Sequence, residues 1–144
     1  MNKVFFHSAD RKIPIRNRKT AKIFLGNLFN NEGIELAALN FIFCSDNYLL
    51  SINQHHLKHS DYTDVISFRL SDLLCPVIGE VYLSTERIKE NAKTYNEKYQ
   101  TEFLRVMIHG ALHLCGYKDK TNVEKKEMRL KEGFYLNLYS KRFT

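Results

Sequence analysis

Apolar residues recur along this chain with two different periods, and the switches between them mark out its elements. Val4-Phe5-Phe6 is a short β-like run closed by Asp10, Arg11 and Pro14. From about Asn17, Ala21, Ile23, Phe24, Leu25, Leu28 and Phe29 gather at helical spacing, and Gly33 ends the run. Leu39 to Cys44, LNFIFC, is an unbroken apolar segment rich in β-formers, the pattern of a strand covered on both faces. Ser45 and Asp46 then cap a helix carrying Tyr48, Leu49, Ile52 and Leu57.

Asp64 to Leu70, DVISFRL, alternates with a period of two. It places Val65, Ser67 and Arg69 on one side and Ile66, Phe68 and Leu70 on the other. A further β segment, Val77 to Leu83, precedes Ser84-Thr85, which caps a helix from about Glu86 to Tyr95. Another helix is predicted from about Thr101 to Cys115, with Gly116 where a helix ends. Thr121 and Glu124 form a capping-box pair opening a last helix to about Leu138. One strand-to-strand link is too short for a crossover helix. The expectation is therefore an α+β fold, a small mixed β-sheet packed with helices, in one domain over residues 1–144.

Composition narrows the class. The 144 residues are 44% hydrophobic and 26% charged, ordinary for a folded chain that can bury a core without staples. Twenty-two Lys and Arg against sixteen Asp and Glu leave +6, which favours an anionic partner only if the charge is localised. Apolar runs fall short of the roughly 20 residues that span a bilayer, and the N-terminus turns basic without a signal-peptide core. A cytoplasmic protein with no membrane partner is expected. Cys44, Cys75 and Cys115 are too few and scattered for a disulfide framework and read as buried, reduced thiols.

The chemistry lies in HGALHLCGYKDK, His109 to Lys120. His109 and His113 are four apart on a predicted helix, so both imidazoles leave one face a turn apart, a spacing suited to two ligands of one metal. Gly116 permits a left-handed turn, after which Asp119 is the nearest residue able to ligate; Lys118 and Lys120 are protonated and cannot. Two His and one carboxylate leave a fourth position, where a catalytic zinc binds and acidifies water. In zinc peptidases of the H-E-x-x-H kind the residue after the first His is the general base, but here it is Gly110. Metallopeptidase activity is accordingly disfavoured.

HGALHLCGYKD resembles the H-G-x-L-H-L-x-G-Y-D-H signature of the YbeY endoribonuclease family, bacterial zinc-dependent rRNA maturation factors. Ile52-Asn53 followed by Thr63 to Phe68 (TDVISF) is similar to its L-N…T-D-V-L-S-F block. Gly79 to Ser84 resembles its G-D-I-x-I-S strand, and Met128 to Glu132 its M-x-x-x-E. The resemblance implies a metal-binding helix central in the fold, packed under the sheet, and one Zn²⁺ per chain. It also implies cleavage of single-stranded RNA in maturing the small-subunit rRNA 3′ end, and a part in ribosome quality control. The partners implied are precursor rRNA and small-subunit ribosomal proteins.

Two departures stand out. The usual third His ligand aligns with Asp119, so the site reads His109, His113 and Asp119, with the metal a poorer Lewis acid beside a carboxylate. A functionally important family Arg aligns with Leu57, leaving Lys58 and Arg69 as replacement phosphate contacts, with Lys118 and Lys120 flanking the metal. The missing Arg is what favours the alternative reading, a ribosome-associated RNA-binding protein with a structural metal. His55, His56 and His59 read as a loop of solvated or RNA-facing imidazoles. Asp61 reads as structural; Asp64 either contacts a metal-bound water or caps a turn. Ser67 either faces the cleft or bonds within the sheet, and Cys115 points to another face, as packing. Arg11, Lys12, Arg16, Arg18, Lys19 and Lys22, with Lys118, Lys120, Lys125 and Lys126, form two basic groups that could flank a phosphate-bearing substrate.

Overall fold

The computed structural model describes residues 2–56 and 62–143. Along these run β1 (Val4–Ser8), α1 (Arg18–Asn31), β2 (Leu36–Cys44), α2 (Asp46–His56), β3 (Val65–Arg69), β4 (Val77–Ser84), α3 (Thr85–Thr94), α4 (Tyr99–Leu114) and α5 (Asn122–Phe143). The strands form one sheet in the order β1-β2-β4-β3. β1 and β2 are parallel, as are β2 and β4, with α1 and α2 in the respective connections. β3 and β4 are antiparallel and joined by residues 70–76, too short for a helical crossover. The fold is α+β with a mixed sheet, as the pattern predicts.

Caps fix the helix starts. Ser45 Oγ accepts from Tyr48 N–H, and Ser84 Oγ from Arg87 N–H. Thr121 N–H donates to Glu124 Oε1 at 2.9 Å while Glu124 N–H donates to Thr121 Oγ1 at 3.1 Å, a reciprocal capping box. α5 runs past Leu138 to Phe143, because Tyr139 and Phe143 keep the helical spacing and set their rings edge-on against Phe24.

The main core lies between the sheet and α1, α4 and α5, around Phe24, Leu39, Phe41, Phe43, Phe103, Ile108 and Leu112. Each such side chain contributes about 1.5–3 kcal/mol by leaving water. On the other face Cys44, Leu49 and Ile66 form a smaller cluster beneath α2. β2 departs from expectation here. Leu39, Phe41 and Phe43 are fully buried, but Asn40 and Ile42 between them are only half-buried, because α2 covers that face incompletely.

α4 is central, and two glycines let it press on β4. A Cβ at Gly110 would stand 2.6 Å from Val81 Cγ1, and one at Gly79 would stand 2.5 Å from Leu114 Cδ1. The thiols differ from one another. Cys44 is buried and Cys115 half-buried, and burial pushes both up to about 12. Cys75 is exposed rather than buried, because it lies in the β3–β4 loop beyond the reach of either core.

Candidate metal centre

His109 and His113 project from the last turns of α4, and the turn after it brings Asp119 back to them. Gly116 makes that reversal at φ 104°, a conformation side chains resist. His109 Nε2 and His113 Nε2 are 3.1 Å apart, and Asp119 Oδ2 is 3.3 Å from each. With metal–ligand bonds of about 2.0–2.1 Å, the edges of a tetrahedron are roughly 3.3–3.4 Å. The three donor atoms thus match one face of a four-coordinate site in size, and their chemistry, two imidazoles and a carboxylate, suits a divalent transition metal.

A second layer of charge orients the first. His109 Nδ1 lies 2.6 Å from Glu132 Oε2, which fixes the proton on Nδ1 and directs the Nε2 lone pair at His113 and Asp119. Arg105 binds the other oxygen of Glu132 at 2.9 Å and grips Glu102 through two bonds of 2.6 and 2.9 Å. Glu102 and Glu132 are both nearly fully buried. Burial alone would raise Glu132, but the bond to His109 and the Arg105 guanidinium outweigh it and hold the carboxyl below its usual range. His109 moves the other way: burial opposes its charge, yet Glu132, Asp119 and Asp64 raise it overall.

The turn carrying Asp119 is itself tied down. Tyr117 Oη donates to Glu32 Oε1 at 2.6 Å, and Tyr135 Oη donates to Glu32 Oε2. Lys131 Nζ adds a 3.3 Å bond to the same carboxylate. Burial works against the Glu32 charge, but these donors outweigh it and lower its pKa. One carboxylate at the end of α1 thereby joins the α4–α5 turn to α5.

The triad lines a cleft of about 910 Å³ that runs along β3 from Asn53 and Tyr62 to Ile34 and Leu73. Asp64 stands in its wall, not merely at a turn; burial raises its carboxyl, partly offset by His109 and Arg105. Ser67 lines the cleft, as one of its two expected roles has it, but its hydroxyl donates to the Gly110 carbonyl of α4 at 3.2 Å rather than within the sheet. Arg69 is in the wall too, where Nε and Nη2 donate to the carbonyls of Ser71, Asp72, Leu73 and Cys75. Lys120 and Cys115 line the cleft, while Lys118 is exposed on the same turn.

His55 and His56 stand in the last turn of α2 rather than in a loop. His55 Nδ1 lies 2.8 Å from the Ser51 carbonyl, and the His56 ring packs against Phe68. Leu57, Lys58, His59 and Asp61 lie outside the described residues. Sequence reading missed Glu132, Arg105, Glu102 and Glu32 as parts of the centre. Glu102 and Arg105 did leave a signal, charges at i and i+3 followed by His109 four further on, in an otherwise apolar helix.

The family model described as Endoribonuclease YbeY matches residues 4–140. A protein of that description from Cytophaga hutchinsonii is 40% identical over 135 residues, 94% of each chain. One from Amoebophilus asiaticus is 41% identical over 133 residues, covering 92% of this chain and 90% of its own. A solution structure of a Thermotoga maritima protein shares the fold at a TM-score of 0.66 and 26% identity, covering 94% of this chain and 88% of that one.

Proposed function

This chain belongs to the YbeY endoribonuclease family, and on that premise we propose that it is a zinc-dependent endoribonuclease of single-stranded RNA. Its substrate in this reading is precursor rRNA at the small-subunit 3′ end, with a further part in ribosome quality control beside small-subunit proteins. The observation that carries the reading is the donor triangle, 3.1 and 3.3 Å on edge, set in the wall of an open cleft. In this reading the protein works in the cytoplasm; no helix among the described residues is long and apolar enough to cross a membrane.

His109, His113 and Asp119 would hold the zinc, one per chain. When bound, the metal supplies Lewis acidity to a phosphoryl oxygen and lowers the pKa of water. The protein's own part is positional and electrostatic. Glu132 keeps the Nδ1 proton on His109, so that Nε2 offers its lone pair to the site. Asp64, raised by burial, is placed in the cleft wall to hold or hand over a proton at its carboxylate. Lys120 and Lys118, with Lys58, would offset charge on the phosphate as it becomes pentacoordinate, while Arg69 holds the β3–β4 loop that walls the cleft. Gly110 leaves no room for the glutamate a peptidase would need there, since its Cβ position is already against Val81.

The test is metal analysis beside RNA cleavage, for the wild type and His113→Ala purified without added zinc. Stoichiometric zinc and cleavage of single strands in the wild type, with both lost in the variant, are expected. Equal, near-zero zinc in both would sink the centre. A metal whose removal unfolds the protein would instead favour a structural ion. Mapping rRNA 3′ ends in cells carrying only the His113→Ala copy tests the substrate.

A further inference from the structure

A second cavity, of about 800 Å³, opens at the β1 edge of the sheet, opposite the β3 edge that lines the cleft, between α1 and the start of β1. Lys3, Arg18, Lys19 and Lys22 line it together with the amides of Asn27 and Asn30, and one carboxylate, Glu35, faces these four cations. The cations are placed there by periodicity. α1 turns Ala21, Phe24, Leu25, Leu28 and Phe29 into the core, so Lys19, Lys22, Gly26 and Asn30 run in a stripe on another face. α1 contains no acidic residue to neutralise that stripe. The N-terminal basic group is thus divided by the fold. Arg11 leaves for the opposite end of β1, where it pairs with Glu86.

Register ties this groove to the cleft. Val4 pairs with Leu39, Leu39 with Gly79, and Gly79 with Arg69, making one row across all four strands. Val4 lines the groove at one end of the row and Arg69 lines the cleft at the other. Three strand spacings separate them, roughly 14 Å. Between the two, Ile34 lines the cleft while the next residues, Glu35 and Leu36, line the groove. An extended polyanion leaving the cleft at Arg69 is therefore within roughly 14 Å, three strand spacings, of a basic, amide-lined channel.

We propose that the groove of Lys3, Arg18, Lys19 and Lys22 is a binding site for the sugar-phosphate backbone of single-stranded RNA outside the scissile segment. The proposal rests on the endoribonuclease reading of the cleft and adds to it an exosite that grips by charge and amide hydrogen bonding, without reading bases.

The experiment measures anisotropy of labelled oligouridylates from roughly 4 to 16 nucleotides, the range of single-strand site sizes, on zinc-loaded protein before cleavage accumulates. Lys3→Gln/Lys19→Gln is the variant, since both side chains are exposed and outside the core. Wild-type affinity should climb with length, and the variant should lose that climb while binding the shortest oligomer unchanged. Its log-affinity against log-salt slope should fall by about 1.4, or 0.7 for each lost phosphate contact. A loss equal at every length, no loss at all, or an equal loss on duplex RNA overturns the groove. Protein that shows the length-dependent grip yet cleaves nothing supports the groove and overturns the activity reading instead.

Discussion

Glu132 Oε2 stands 2.6 Å from His109 Nδ1, although the two lie 23 positions apart in the chain and on different helices, α5 and α4. The contact decides which nitrogen of His109 can face a metal, and Arg105 on the other side keeps Glu132 from turning away. Glu132→Gln should therefore weaken zinc binding by about 10- to 100-fold while the fold persists. Competition titration against a chromophoric chelator checks this, with circular dichroism as the control. Zinc affinity equal to wild type would remove Glu132 from the centre.

The same contact sets a pH dependence. In the metal-free protein His109 is raised, so the stability it contributes is full below its ordinary value of about 6.5 and is lost as pH rises through the folded value. Glu132 is depressed, so its contribution is present above its ordinary range and lost as pH falls through the folded value. Zinc must displace the proton that the charged imidazolium carries on His109 Nε2, so affinity should fall as pH drops through the raised His109 value, and Glu132→Gln should move that fall to lower pH. Calorimetry in buffers of different ionisation enthalpy measures the proton released; none released would contradict it.

Glu32 acts at a distance from the triad, through the turn that carries Asp119. Tyr117→Phe removes one of its charged hydrogen bonds and should lower stability by about 1–2 kcal/mol. A loss confined to stability would leave the turn passive. The discriminating measurement is a double-mutant cycle on zinc affinity. Tyr117→Phe should weaken binding in the wild type and have no effect in an Asp119→Ala background.

Gly110 is a packing requirement rather than a gap in a catalytic motif. Gly110→Ala would put a methyl 2.6 Å from Val81 Cγ1, and overpacking of this kind costs about 1–3 kcal/mol. Thermal unfolding should show a lower Tm, largely restored by adding Val81→Ala. Failure of the second change to rescue would place the strain elsewhere.

Arg69 is held by four backbone carbonyls of the β3–β4 loop, so its loss should free that loop before it weakens RNA binding. Faster amide exchange across residues 70–76 in Arg69→Ala, with the salt dependence of RNA affinity unchanged, is the expected result. A salt slope lower by about 0.7 would show a phosphate contact instead.

Much of this molecule was written locally. The period of two in DVISFRL, the capping pair Thr121 and Glu124, and the His109–His113 spacing each act within a few residues, so they are visible without a fold. Asp119 was legible for the same reason, since Gly116 commits the chain to a reversal at once. Burial of Cys75 was misjudged because an apolar neighbourhood in sequence is not one in space; Leu73 and Leu74 beside it are themselves exposed.

What only the tertiary structure decided is which distant side chains complete each local feature. Glu132 and Arg105 join His109, Glu32 joins Tyr117, and Lys3 joins Lys19 because helices and strands far apart in sequence pack on one sheet. Charge and hydrogen bonding fall off over a few ångströms, so their consequences depend on that packing. Hydrophobic periodicity needs only the chain's own geometry, and to that extent the sequence by itself determined the protein.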